Sequence, residues 1–218
     1  MHRRFDAVIF DFDYTLADSS SAVVDCAQGA LRAMDLPVAS DHAIRRTIGL
    51  SISDTLARLA GEEHRHRAAE FQQHWRVRSD EIMVDWTQLY PYVPDAVRGL
   101  KQCGLGLGIV STKFRHRIAA VLGREKLAHY FDTIVGGEDV KAFKPDPEGL
   151  LAAVERMRVA RDRVLYVGDS VTDAQTAQRA DVAFMAVLSG MTRSEEFEKY
   201  PVEAILGSAA HLRERVGC

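Results

Sequence analysis

The chain has 218 residues, 47% of them hydrophobic, and a formal net charge of -3 with a pI near 6.2. Such a chain can bury a large core, as one domain with an insertion or as two small domains, and its weak acidity excludes a general attraction to nucleic acid or anionic membranes. The cysteines at 26, 103 and 218 are odd in number and widely spaced, which indicates free or packing thiols in a reducing compartment, without a disulfide framework or Cys-x-x-Cys metal site.

The first predicted element is a buried strand that ends in two acids. The apolar run AVIF at 7–10 is followed by DFDYTL at 11–16. This pattern is typical of a parallel strand that carries Asp11 and Asp13 to the carboxyl edge of an open α/β sheet, where ligands bind. A turn in which an Asp caps a helix is the alternative. The run is too short for a signal-peptide core or a membrane span, so we expect a cytoplasmic protein.

Residues 18–85 predict a helical insertion. Apolar spacing from Ala22 to Met34 indicates an amphipathic helix, and candidate N-caps for further helices stand near Ser40 and Ser53. No strand pattern interrupts this stretch, which is too long for a connection inside a compact sheet and too regular for a loop. We therefore expect a core domain made of residues 1–17 and 86–218, with a small helical domain between them.

The rest of the chain alternates between strand and helix patterns. Strands are predicted at 105–110, 133–135, 164–167, 183–188 and 202–205, and helices at 95–103, 118–122, 146–157, 172–180 and from 208 onward. This rhythm predicts an α/β fold with a doubly wound parallel sheet, a Rossmann-like core.

Three predicted strands end in polar residues that belong at one edge of that sheet. The first ends at Asp11 and Asp13, the second at STK (111–113), and the third at a turn that contains Asp169. Three acids at one edge need a cation, and hard oxygen ligands favour Mg²⁺ with room for phosphate oxygens.

A lysine in the proline-rich segment FKPDP at 143–147 is a candidate for neutralising this edge. Lys144 can offset the acids and meet an incoming phosphoryl group, because the prolines stiffen the segment that aims it. Each feature alone has a simpler interpretation. Ser111 and Thr112 then cap a helix, Lys144 is a solvated charge, and Asp169 lies in an ordinary turn.

Taken together, these segments resemble the four motifs of the haloacid dehalogenase-like hydrolase superfamily, over essentially the whole chain. DFDYTL at 11–16 matches the first motif, Ser111 the second, Lys144 the third, and GDSVTD at 168–173 the fourth. The insertion at 18–85 resembles the α-helical cap of the subgroup that includes phosphoglycolate phosphatase, bacterial pyrophosphatase and β-phosphoglucomutase.

The resemblance implies a role for each motif residue in phosphoryl transfer. Asp11 is implied to be the nucleophile that forms an aspartyl-phosphate, and Asp13 the acid and base. Ser111, Thr112 and Lys144 are implied to bind the phosphoryl oxygens.

The same resemblance implies a Mg²⁺ site. Its ligands are expected from Asp11, Asp169 and the backbone carbonyl of Asp13, while Asp173 orients metal-bound water.

Two residues of the first motif bear on the type of reaction. The position of Asp13 is usually Tyr in the dehalogenase branch, so the acid here favours phosphoryl transfer. The position of Tyr14 is commonly Gly in the family, and the ring either packs in the core or narrows the entrance under the cap.

We therefore expect a Mg²⁺-dependent phosphatase acting on a small phosphorylated metabolite, either a phosphoglycolate-like monoester or pyrophosphate. TIGLSISD at 47–54 resembles the cap of such hydrolases, and Arg45 or Arg46 is a candidate for a substrate carboxylate or second phosphate, with ordinary solvent exposure as the alternative. We expect no nucleic-acid or membrane partner, and a monomer or homodimer.

Two other functions stay open at this point. A sugar phosphomutase of the β-phosphoglucomutase type is the first, although the basic, glycine-containing cap segment expected for it is faint. The second is a catalytically retired regulatory or scaffold protein on the same fold. Such a protein is expected to lose Asp11, Asp13, Lys144 or Asp169, and all four are present.

Overall fold

A computed structural model describes residues 4–217, which belong to two compact units. One unit contains the chain up to Ala17 together with the chain from Leu89 onward, and the other is Asp18–Gln88. Two-residue strands, Ala17–Asp18 and Gln88–Leu89, lie at the points where the chain passes from one unit to the other.

The first unit is built on a six-stranded sheet with the order β3-β2-β1-β4-β5-β6. The strands are β1 (Ala7–Phe10), β2 (Gly106–Val110), β3 (Thr133–Val135), β4 (Val164–Gly168), β5 (Ala183–Val187) and β6 (Ala204–Leu206). All neighbours are parallel, and Ala7 of β1 pairs with Gly106 on one side and Val164 on the other. Every residue of β1 and β4 is buried, as expected for strands covered on both faces. The predicted parallel α/β fold is confirmed.

The second unit is helical. It contains α1 (Ser20–Ala33), α2 (Asp41–Arg45), α3 (Ile52–Ala60) and α4 (Ala68–Trp86), with a 3₁₀ segment at Glu62–Arg67. Ser40 caps α2 as expected, but α3 begins one residue after Ser51, whose hydroxyl accepts from the Asp54 amide. The core of this helical unit includes Ile44 and Phe71, both fully buried.

The helices of the first unit are α5 (Val93–Gln102), α6 (Arg115–Arg124), α7 (Glu148–Met157), α8 (Val171–Ala180) and α9 (Leu212–Arg215). Apolar residues of α7 and α8 pack on the sheet, and one buried cluster joins Ile9 and Tyr166 of the strands with Leu150 of α7 and Ala174 of α8. Because β1 lies in the middle of the sheet, the chain that leaves its carboxyl end has polar segments from both neighbouring strands beside it.

Over residues 4–217, no helix combines the length and the apolar character needed to cross a bilayer.

Candidate active site

The turn after β1 holds two buried acids at the carboxyl edge of the sheet. Asp11 is 3% exposed and Asp13 is 7% exposed. The Asp11 amide donates to the Val167 carbonyl at 2.8 Å, which continues the β1–β4 pairing, and the Leu16 amide donates to the Phe12 carbonyl at 2.9 Å. These backbone bonds fix both carboxylates relative to the sheet.

Tyr14 lies inside this turn with a left-handed backbone conformation, φ = 64°. Its side chain is buried, and its amide donates to the Ala17 carbonyl at 2.6 Å. The Ser189 hydroxyl, from the loop after β5, donates to the Tyr14 carbonyl at 2.5 Å. Left-handed backbone favours glycine, so the turn explains why a tyrosine is unusual at this position.

Lys144 contacts two of the acids. Its Nζ lies 2.7 Å from Asp11 Oδ1 and 2.7 Å from Asp173 Oδ1, and its side chain is 5% exposed. Burial opposes the charged form of Lys144, but the carboxylates of Asp11 and Asp173 outweigh it and hold the pKa well above the usual value. The lysine is therefore a permanent cation between the two acids.

Asp173 lies in the first turn of α8 and is fully buried. Its Oδ1 accepts from Lys144 Nζ at 2.7 Å and from the Tyr166 hydroxyl at 2.8 Å. Its Oδ2 accepts from the Ser170 hydroxyl at 2.5 Å and the Ser170 amide at 3.2 Å, while Ser170 Oγ caps the helix. With four donors on two oxygens, this carboxylate holds Lys144 and the start of α8 in place.

Carboxylate oxygens of Asp11, Asp169 and Asp173 lie within 4.8 Å of one another. Burial raises the pKa of Asp11 to about 7, against the opposing charge of Lys144 and with a further rise from Asp173. Burial and the charge of Asp173 also raise the pKa of Asp169 well above its usual range. Buried carboxylates whose pKa stays raised even beside Lys144 fit a site that gains a divalent metal ion.

Asp169 is held from two sides. Thr15 lies in the turn that follows β1, and its Oγ1 is 3.4 Å from Asp169 Oδ1. The backbone of Gly190, after β5, leaves no space for a side chain beside Asp169 Oδ2. Both contacts restrict where this carboxylate can point.

The segment after β2 adds hydroxyl groups and a second lysine. Ser111 is 6% exposed, and its hydroxyl accepts from the Lys113 amide at 3.3 Å. Thr112 is half-buried beside it. Lys113 Nζ lies 3.1 Å from Asp13 Oδ1. Sequence reasoning assigned no role to Lys113, although its place in a polar run directly after a buried strand was a signal for one.

The predicted site residues therefore divide between the two units. The edge of the sheet carries Asp11, Asp13, Ser111, Thr112, Lys144, Asp169 and Asp173, and direct contacts link Asp11, Lys144 and Asp173. Arg46 is exposed after the end of α2 in the helical unit, and its contact with a substrate stays a prediction.

Comparisons with known proteins agree with this arrangement. The family model for haloacid dehalogenase-like hydrolases matches residues 8–187. The phosphoglycolate phosphatase of Escherichia coli K12 is 29% identical, over 96% of this chain and 92% of its own length.

Solved structures show the same fold. A protein from Bacteroides fragilis named for this hydrolase family superposes with a TM-score of 0.92 at 40% identity, covering 95% of this chain and 99% of its own. A protein from Lactobacillus plantarum with a suggested phosphoglycolate phosphatase activity has a TM-score of 0.84 at 27% identity, covering 96% and 98%.

Proposed function

The chain belongs to the haloacid dehalogenase-like hydrolases and is a phosphatase, and we propose that it hydrolyses a small phosphoglycolate-like monoester or pyrophosphate with Mg²⁺, through an aspartyl-phosphate. The observation that carries this proposal is the contact between Lys144 and Asp11, 2.7 Å from Nζ to Oδ1, at the edge where Asp13 and Asp169 also lie. A buried carboxylate paired with one lysine can present its other oxygen to phosphorus.

In the first displacement, Asp11 Oδ2 attacks phosphorus as the bond from phosphorus to the leaving oxygen breaks. Asp13 gives its proton to that oxygen. In the second displacement, water attacks the aspartyl-phosphate, Asp13 takes the proton from that water, and the bond from phosphorus to Asp11 breaks to release phosphate. The Asp13 carboxyl thus returns to its starting state after each turnover.

Lys144 and Ser111 stabilise the transferred group. Lys144 offsets the charge of Asp11, so that a phosphoryl dianion can approach, and its ammonium then donates to a phosphoryl oxygen. The hydroxyls of Ser111 and Thr112, at the end of the neighbouring strand β2, are the remaining donors for those oxygens.

The metal ligands in this proposal are Asp11, Asp169 and the backbone carbonyl of Asp13. When bound, Mg²⁺ supplies a positive charge that the phosphoryl oxygens share in the transition state. Asp173 is not a metal ligand in this proposal. Its two oxygens accept four hydrogen bonds, and these hold Lys144 and α8 in position.

Phosphate release tests the proposal. The purified protein is offered phosphoglycolate, pyrophosphate, sugar phosphates, nucleotides and an aryl phosphate, with Mg²⁺ or with EDTA, beside Asp11→Asn. We expect release that requires Mg²⁺, is largest for phosphoglycolate or pyrophosphate, and is lost in Asp11→Asn.

Two outcomes contradict the proposal. Absence of Mg²⁺-dependent release from every compound rules out hydrolysis. Isomerisation of β-glucose 1-phosphate without phosphate release identifies a mutase instead. A cytoplasmic location and a monomeric or homodimeric state stay predictions, which fractionation and sizing of the native protein test.

A further inference from the structure

Lys113 is a second buried lysine at the edge of the sheet, and the proposed mechanism gives it no role. Its side chain is 6% exposed, and its Nζ lies 3.1 Å from Asp13 Oδ1. The two lysines contact different acids, since Lys144 contacts Asp11. A buried ammonium group is costly unless anions face it, so the burial of Lys113 requires anionic groups near its Nζ.

The partner of Lys113 locates it relative to a substrate. A general acid must come within hydrogen-bond distance of the leaving oxygen. Because Lys113 Nζ lies 3.1 Å from Asp13 Oδ1, it lies within about 8 Å of that oxygen, whichever oxygen of Asp13 carries the proton. Lys144 therefore belongs to the phosphoryl end of a bound substrate, and Lys113 to the leaving-group end.

We infer that Lys113 is a specificity-determining residue that binds an anionic group on the leaving group itself. The anion is a carboxylate or a second phosphate, attached within a few bonds of the leaving oxygen so that it stays inside the reach of Nζ. This inference rests on the proposed phosphatase function. It restricts the substrate class to phosphate compounds with a short anionic tail, such as phosphoglycolate or pyrophosphate, and disfavours monoesters whose leaving group is neutral.

The competing role for Lys113 is to hold Asp13 in place. In that case, removal of the ammonium group lowers turnover of two substrates with matched leaving groups by the same factor, because both need the same acid to the same degree. If Lys113 also binds the tail, removal lowers turnover of anionic substrates further. The ratio between two matched substrates separates these roles.

The experiment compares Lys113→Met with the unmodified full chain in saturating Mg²⁺. The substrates are phosphoglycolate and phosphoglycolamide, in which a neutral amide replaces the carboxylate on the same leaving group. We expect kcat/KM to fall about 10- to 100-fold more for phosphoglycolate than for the amide, as for the loss of one charge-assisted hydrogen bond, and mainly through KM. Lys113→Arg, which keeps the charge, should preserve most of the preference.

A second pair of substrates identifies the anion. Pyrophosphate and a neutral aryl phosphate are tested on the same variants. A selective loss confined to pyrophosphate assigns Lys113 to a second phosphate, and one confined to phosphoglycolate assigns it to a carboxylate. Either result supports the inference.

Arg115→Met is the matched control. Arg115 lies two residues further along, its side chain is 53% exposed, and its Nε lies 3.5 Å from Asp139. Loss of this cation should leave the substrate ratio unchanged. Equal losses within both substrate pairs in Lys113→Met, or no preference for the anion in either pair in the unmodified protein, overturn the inference while the phosphatase stands. Absence of phosphate release from every substrate overturns the proposed function itself.

Discussion

Gly190 lies against the carboxylate of Asp169 so closely that a Cβ at position 190 would overlap Oδ2. The loop that carries this glycine is fastened on both sides: the Ser189 hydroxyl donates to the Tyr14 carbonyl at 2.5 Å, and the Tyr90 hydroxyl donates to the Ser189 carbonyl at 3.3 Å. The backbone after β5 therefore forms a wall of the acid cluster, and it has little freedom to retreat.

Gly190→Ala should displace the Asp169 carboxylate and weaken Mg²⁺ binding. The added methyl group cannot fit without a shift of the loop or of the acid, at a cost of about 1–3 kcal/mol. We expect at least a 10-fold weaker Mg²⁺ affinity, measured by calorimetry, and a parallel rise in the Mg²⁺ concentration needed for phosphate release.

Gly207→Ala is the control for this substitution, because nothing lies within 4 Å of a Cβ built at Gly207. Its Mg²⁺ affinity should match that of the unmodified protein. Equal affinity in Gly190→Ala would show that the loop gives way and that Gly190 does not position Asp169.

Lys144→Met should both destabilise the protein and abolish turnover. The substitution leaves Asp11 and Asp173 without the cation that lies 2.7 Å from each. Removal of one partner from a buried ion pair costs about 3–5 kcal/mol. The free energy of unfolding in urea and the rate of phosphate release measure the two effects.

A double variant separates stability from chemistry. Lys144→Met combined with Asp173→Asn removes one of the two uncompensated charges, so part of the lost free energy of unfolding should return while turnover stays absent. Recovery of turnover would contradict the role of Lys144 at the phosphoryl group.

Removal of the metal should make stability depend on pH. Folding raises the pKa of Asp11 from 3.8 to about 7, so between these values the folded state holds a proton that the unfolded state has released. The free energy of unfolding should therefore fall as pH rises through this window, by about 4 kcal/mol from Asp11 at most. The raised pKa of Asp169 acts in the same direction. Lys144 adds nothing here, because its pKa is raised from 10.5 and its charge is lost only in more alkaline solution.

Mg²⁺ should reverse this loss by binding the ionised carboxylates. We expect the rise in Tm on adding Mg²⁺ to be several degrees larger at about pH 8 than at about pH 5.5, at about 2–4 °C for each kcal/mol. An equal rise at both pH values would place Mg²⁺ away from Asp11 and Asp169.

Tyr14 provides a test of backbone strain. Tyr14→Gly relieves a left-handed backbone at φ = 64°, worth about 1 kcal/mol, but deletes a buried ring worth about 3–5 kcal/mol. The glycine variant should be less stable than the unmodified protein by about 2–4 kcal/mol. Tyr14→Ala loses the ring and keeps the strain, so it should be less stable still by about 1 kcal/mol. If the Tyr14→Ala variant were instead more stable than the Tyr14→Gly variant, the backbone at position 14 would be unstrained.

The fold could be predicted from the sequence because buried parallel strands have continuous apolar sequences. The prediction at 164–167 lies within one residue of β4, Val164–Gly168. Helix bounds were harder to predict. Residues 118–122 lie in a helix as predicted, but that helix begins at Arg115, because its first turn is polar and carries no apolar periodicity.

The candidate site was accessible for a related reason. Residues directly after strands must lie at one edge of a parallel sheet, so Asp11, Ser111 and Asp169 could be placed before any contact was known. The contact of Lys113 with Asp13 and the closeness of Gly190 to Asp169 could not be predicted in this way. The position of a lysine ammonium depends on a flexible four-carbon stem, and the space around a glycine depends on a segment distant in the chain.

The central position of β1 has a consequence for the order in which this protein is made. The strand that precedes Asp11 leaves the ribosome before its two partners, because β2 and β4 come about 100 and about 160 residues later in the chain. At a synthesis rate of about 5–20 residues per second, the edge of β1 that pairs with β4 stays unpaired for roughly 10–30 s. The helical unit is synthesised within that interval and can fold first. The acid cluster therefore assembles late in synthesis, only after GDSVTD at 168–173 has emerged from the ribosome.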